Sequence, residues 1–139
     1  MRSARESAGR FAPVRGQCGQ QQSQGGRELC PLYVADTQNS RIAAVPDALD
    51  RQQSAGDGET VSQGVLLKSP LGLTIAPNGD MITANGGDGN IVETTPSGKQ
   101  VASFETNAEK GGLFGLTLKP EFGGVYFVDD KENTLGLLH

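Results

Sequence analysis

Tryptophan is absent, and histidine occurs once, at the last position, His139. A terminal side chain is not held rigidly, so neither Ser–His–Asp nor Cys–His catalysis finds its base in this chain. The shortage of imidazole also weighs against a metal held by several histidines. Cysteine is nearly as scarce, with only Cys18 and Cys30. Two thiols without histidine partners do not make a zinc site. They leave open a disulfide in an oxidising compartment or two unrelated roles. No run approaches the ~20 apolar residues that a bilayer-spanning helix needs, so no membrane span is expected. Met1-Arg2-Ser3-Ala4-Arg5-Glu6-Ser7 is basic but precedes no apolar stretch, so it does not read as a secretory signal. Its Arg/Ser/Ala bias bears only a faint likeness to an organelle transit peptide. Alanine- and leucine-rich helical runs are missing too, and Gly56, Gly58, Gly111, Gly112 and Gly115 do not lie between a strand and a helix as a P-loop or dinucleotide fingerprint requires.

What the chain does have is glycine, 20 residues in 139, with 35% apolar content. That mixture suits short strands and tight turns, and it leaves part of the chain outside any packed core. The charge is divided. Residues 1–30 hold five arginines against Glu6 and Glu28, a net of +3, whereas residues 31–139 hold seven basic and fourteen acidic side chains, a net of −7. An acidic body repels nucleic-acid backbones and anionic lipid, so nucleic acid is not an expected partner. Residues 1–29, with the Gln/Gly-rich run Gln17–Gly26, read as a disordered, solvated segment without the aromatic interleaving of a binding arm. The composition changes sharply at Leu32-Tyr33-Val34-Ala35.

Internal repeats organise the remainder. Val34-Ala35-Asp36-Thr37-Gln38-Asn39-Ser40-Arg41-Ile42 aligns without gaps to residues 83–91 and again to residues 127–135, at offsets of 49 and 44. Each segment ends a strand, places Asp or Asn, turns through polar residues and resumes on an aliphatic side chain. Gly72-Leu73-Thr74-Ile75-Ala76-Pro77 matches Gly115-Leu116-Thr117-Leu118-Lys119-Pro120 at an offset of 43. The middle unit is the most complete. Strands are predicted at Leu71–Ala76, Met81–Ala84, Asn90–Thr95 and Gln100–Glu105, joined by short turns at Pro77–Asp80, Asn85–Gly89 and Pro96–Lys99. Four short antiparallel strands make one propeller blade. The first unit offers strands at Leu32–Ala35, Arg41–Val45 and around Thr60–Ser62 after a long polar loop. The third offers three, ending at Leu137-Leu138-His139. The pattern predicts Leu73, Ile75, Leu116 and Leu118 buried, with Ile82, Ile91, Tyr126 and Val128 between neighbouring sheets. The expected fold is all-β, a partial β-propeller.

Leu32–Ile42, followed by Pro70-Leu71-Gly72-Leu73-Thr74-Ile75-Ala76-Pro77-Asn78-Gly79-Asp80, resembles the NHL-repeat β-propellers, particularly bacterial members. The resemblance covers roughly residues 30–139 and implies units at about 30–65, 66–108 and 109–139. Such propellers close with about six blades, so it further implies the C-terminal remnant of a longer propeller. For the full-length family it implies an extracellular or periplasmic location.

Asp36, Asn85 and Asp129 recur at one place in the repeat and invite a metal reading, since carboxylates at equivalent places in successive blades converge around an axis. The competing account is a strand-ending Asx turn, in which the side chain bonds backbone two residues on. It is preferred because the position sits in the hairpin turn of every unit. Gly86-Gly87-Asp88-Gly89-Asn90 is like a calcium β-roll repeat but is not iterated, so a glycine-rich turn accounts for it. Arg41 suits an anionic ligand or an ion pair with Asp36, and its counterparts Asn90 and Thr134 break any basic ring.

Three functional readings follow. One is a non-catalytic binding module, using loops on one face: Asp36–Arg41, Asn85–Asn90 and Asp129–Thr134 beside Leu66–Pro70 and Thr106–Leu113. Its candidate contacts are Asp36, Asn39, Arg41, Asn85, Asp88, Asn90, Asp129 and Asp130, toward a protein or other ligand. Another is the remnant of a propeller lyase or hydrolase with a metal on the axis, and the last a non-functional truncated product. No cofactor and no catalytic residue are assigned. Missing edge strands and uncovered apolar faces lead to an expectation of self-association through exposed sheet edges.

Overall fold

The computed structural model describes residues 31–119, 121 and 123–139. The disorder expected for residues 1–29 and any pairing of Cys18 with Cys30 lie outside the described residues. Ten strands form three antiparallel meanders. The first sheet comprises β1 (Leu32–Asp36), β2 (Arg41–Val45) and β3 (Glu59–Gln63). The second comprises β4 (Pro70–Ile75), β5 (Met81–Asn85), β6 (Asn90–Thr94) and β7 (Gln100–Glu105). The third comprises β8 (Leu113–Leu118), β9 (Val125–Asp129) and β10 (Thr134–Leu138). No helix among the described residues is long and apolar enough to cross a membrane.

Local chemistry explains the hairpins. In Ala76-Pro77-Asn78-Gly79-Asp80 the amide of Gly79 donates to the Ala76 carbonyl at 2.9 Å and the amide of Ala76 to the Asp80 carbonyl at 2.8 Å. Thr95-Pro96-Ser97-Gly98-Lys99 repeats both bonds at 2.8 and 2.9 Å. In each, proline presets φ at the first turn position and glycine supplies the positive φ, 100° at Gly79 and 90° at Gly98. Pro70 opens β4, where its missing N–H costs no ladder bond. Both opening strands, β4 and β8, carry a register irregularity near their start, between Pro70 and Gly72 and between Leu113 and Leu116.

The sheets stack face to face through two apolar layers. Tyr33, Ala35, Ile42 and Ala44 of the first sheet meet Leu73, Ile75, Met81 and Val92 of the second, with Leu67 of the connection buried among them. On the other side of the second sheet, Ile82, Ala84 and Ile91 meet Leu113 and Leu116 of the third, with Val125, Phe127 and Leu138 packed alongside. The middle sheet is thus covered on both faces, and β5 is buried at every position. On β5 the buried Thr83 Oγ1 donates to the Val92 carbonyl at 3.4 Å, whereas the buried Thr94 hydroxyl on β6 has no hydrogen-bond partner among the described residues.

Leu73, Ile75 and Leu116, together with Ile82 and Ile91, are buried as expected. The third sheet departs from expectation. Leu118 and Tyr126 are only half-buried, and Val128 is 40% exposed rather than enclosed between sheets. The reason is positional: Tyr126 and Val128 lie on the face turned away from the second sheet, and no further sheet follows among the described residues. Phe114, Leu135 and Leu137 on that face are exposed with them.

Candidate functional site

One end of the stacked sheets gathers the β1–β2, β5–β6 and β9–β10 hairpin turns beside the connections between sheets. Hydrogen bonds join them. Thr37 Oγ1 donates to the Pro70 carbonyl at 2.8 Å, and the Ser69 amide donates to Ser40 Oγ at 3.0 Å. The amides of Gly86 and Gly87 donate to the carbonyls of Ser69 and Lys68, each at 2.9 Å, and Gly111 donates to the Gly86 carbonyl at 2.8 Å. Thr106 Oγ1 donates to the Gly89 carbonyl at 2.6 Å, and the Asp130 amide donates to the Gly112 carbonyl at 2.7 Å. Each hairpin is thereby sewn to the connection that leads into or out of its sheet.

The eight candidate residues fall into three clusters, one per sheet. In the first, Asp36 Oδ1 accepts the Asn39 amide at 3.2 Å, and Oδ2 accepts Asn39 Nδ2 at 2.9 Å and Arg41 Nε at 2.7 Å. The Asn39 side chain foremost, and Arg41 after it, hold the Asp36 carboxyl below the usual carboxylate range. Arg41 also donates from Nη1 to Thr60 Oγ1 at 2.7 Å and from Nη2 to the Asp57 carbonyl at 2.6 Å. Its guanidinium is therefore spent on the first sheet and the loop before β3.

In the second cluster Asn85 is wholly buried. Its Oδ1 accepts the Lys68 amide at 3.1 Å, and its Nδ2 donates to the Leu66 carbonyl at 2.7 Å and to Asp88 Oδ1 at 3.1 Å. Asn85 pins the incoming connection to the blade, and an aspartate there would leave the Leu66 carbonyl without a donor. Asp88, exposed at the turn, accepts the Asn90 amide at 3.1 Å and Asn90 Nδ2 at 3.4 Å. In the third cluster the buried Asp129 Oδ1 accepts the amides of Lys131 at 3.1 Å and Glu132 at 3.3 Å, while the Asp130 side chain faces solvent.

Asp36 and Asp129 each accept backbone amides of their own turn, and Asn85 instead serves the connection. Among the described residues no three His, Cys, Asp or Glu side chains gather to hold a metal ion. Residues outside the candidate set also shape this end. Thr37, Ser40 and Thr106 make the joining bonds, and an exposed Lys131–Glu109 ion pair at 3.6 Å links the third turn to its connection. Gln100 clamps two sheets, donating to Ser62 Oγ at 2.9 Å and the Gly64 carbonyl at 3.0 Å and accepting the Leu66 amide at 2.7 Å. No sequence pattern marks these residues, because their partners lie 17 to 38 positions away.

No family model and no curated protein matches the chain. Among solved structures, it is similar to a catalytically inactive virginiamycin B lyase from Staphylococcus aureus crystallised with quinupristin, at a TM-score of 0.62 and 16% identity. The fold is a partial β-propeller. The likeness covers 84% of this chain, which spans 40% of the lyase. At that identity it establishes the fold and carries no activity across.

Proposed function

We propose that the chain is a non-catalytic propeller module of the NHL-repeat type, part of a larger propeller, that binds a protein or other ligand through the sewn loops at one end of its blades. The observation that carries this reading is the hydrogen-bonded continuity of those loops across all three sheets, which holds exposed polar side chains on a rigid base. Within the candidate set, Asn39, Asp88 and Asp130 point outward and are the proposed contacts, with Asn90 beside them. Asp36, Arg41, Asn85 and Asp129 are proposed to hold the loops in shape. Rigid loops on a β scaffold lose little entropy on binding.

Peptides selected against the purified chain by display, then mapped by amide exchange, test this reading. Protection is expected in 36–41, 85–90 and 129–134, and weaker binding in an Asn39→Ala, Asp88→Ala, Asp130→Ala triple variant. Protection confined to the sheet edges would overturn it. The lyase alternative has its own assay. Incubation with quinupristin and a divalent cation, followed by mass spectrometry, is expected to leave the compound unchanged, whereas a new product would favour an enzyme.

A further inference from the structure

Among the described residues, six other than glycine take a positive φ: Ser40, Asp47, Val65, Ser69, Glu121 and Asn133. Five of them are polar or charged, and Val65, at 54°, is the one with a β-branched side chain. In the left-handed region a branched Cβ crowds its own backbone, whereas glycine sits there without that cost. The valine gains little inside the molecule to offset the strain, since it is 78% exposed. Leu67, two residues on, turns inward and is wholly buried. The connection to the third sheet likewise sends Ala108 inward, yet it exposes Asn107, Glu109 and Lys110 and no apolar side chain.

Hydrogen bonds hold Val65 in this conformation. The Gly64 amide donates to the Ser40 carbonyl at 2.8 Å, and the Leu67 amide donates to the Gly64 carbonyl at 2.9 Å. Gln100 bonds the peptide groups on both sides of Val65. Its Nε2 donates to the Gly64 carbonyl at 3.0 Å, and its Oε1 accepts the Leu66 amide at 2.7 Å. Asn85 Nδ2 donates to the Leu66 carbonyl at 2.7 Å. Gln100 lies on β7 and Asn85 on β5, so the second sheet imposes the turn on the connection that enters it. A strained residue persists where its surroundings over-determine it, and such residues gather where proteins clamp ligands.

The surroundings of Val65 are short of charge. Gln63 is exposed and its Nε2 donates to the Asn39 carbonyl at 3.1 Å, which brings the exposed Gln38 and Asn39 beside the turn. Asp36 and Arg41 pair with each other at 2.7 Å. Lys68 is then the one charge of residues 36–41 and 63–68 outside an ion pair. An apolar centre with a rim of carboxamides matches a peptide. An aliphatic side chain can rest on Val65 while backbone N–H and C=O groups meet side chains that both donate and accept. We infer that Val65 is the apolar anchor of the loop surface and that Gln100 is its positioning residue. The occupant is a peptide segment of a partner protein that carries an aliphatic side chain flanked by uncharged residues. This inference rests on the loop-binding reading above and supplies that surface with its apolar centre.

Peptides selected by display against the purified full chain, then synthesised with a fluorescent label, serve as the probe. They are expected to share an aliphatic position with uncharged neighbours. Val65→Gly is expected to weaken their binding by about tenfold or more. It is also expected to raise the urea midpoint, because the relieved strain outweighs the added freedom of the unfolded chain. A variant that is more stable yet binds less well separates an anchor from a residue that serves the fold. Changing the shared aliphatic residue of the peptide to alanine is expected to cost the parent about tenfold and Val65→Gly little, since both changes remove one contact. Gln100→Ala is expected to lower stability and affinity together. Unchanged affinity in Val65→Gly, a lower urea midpoint in that variant, or an equal cost of the peptide change in both chains would each overturn the inference. If Asp88→Ala, Asp130→Ala still weakened binding in those cases, the loop-binding reading would stand without its anchor. If neither variant weakened binding, or if the library yielded no binder, both would fall.

Discussion

Asp36 closes its own turn through Asn39 and anchors Arg41 at 2.7 Å, so a single carboxylate joins a hairpin to the loop that Arg41 reaches. Because its native pKa lies below the usual value, the ionised form is the one that the fold favours. The resulting stability is present above the unfolded pKa of about 4 and is lost as pH falls through the lower native value. Asp36→Ala is expected to lower stability by roughly 1 kcal/mol at neutral pH, a modest figure because solvent reaches the pair. Urea unfolding of parent and variant across the acid range should show the gap closing as pH falls. Glu93 on β6 has the opposite sign. Burial foremost, and neighbouring Asp80 after it, raise its pKa above the ordinary glutamate value. Its contribution is present below the unfolded pKa and is lost as pH rises through the raised native value. Glu93→Gln is therefore expected to raise the urea midpoint at neutral pH, with no gain in acid. A midpoint shift of the same size at every pH would mean that the carboxylate's charge is not what strains this position.

At the scale of the element, β4 and β5 carry most of the packing. Ile75, almost fully enclosed, belongs to the layer between the first and second sheets. Ile75→Ala is expected to cost ~2–5 kcal/mol, read as a fall in the thermal or urea midpoint. An unchanged midpoint would mean that β4 is out of the register in which Ile75 pairs with Met81. The two Pro-x-Gly hairpins bring their strands together with local bonds alone. The connections between sheets, by contrast, depend on side chains from elsewhere, Asn85 and Gln100 above all.

At the scale of the whole molecule, among the described residues the middle sheet is covered on both faces and each outer sheet on one, which implies a graded resistance to opening. Native-state amide exchange is expected to be slowest in β4, β5 and β6. It should be faster in β3 and β10, the outer strands of the two three-stranded sheets, where fewer buried neighbours must separate. Equal protection across all ten strands would indicate that the outer sheets are covered in solution.

The repeat in the amino-acid sequence was sufficient to determine the strands, their order, the short hairpins and the four-stranded middle blade, because these follow from alternation and turn chemistry within a few residues of each other. It also placed Asp36, Asn85 and Asp129 at one structural position and offered an ion pair with Asp36, five residues away, as one of two roles for Arg41. Tertiary structure alone decided what those positions do. Asn85 takes its partners from a connection 17 and 19 residues earlier, and Gln100 reaches back 34 to 38. It alone decided, too, that Tyr126 and Val128 are less enclosed than Ile82 and Ala84. A repeat writes the same apolar residue into every blade, but burial depends on the neighbouring sheet, and only the stacking of whole sheets shows where that neighbour is present.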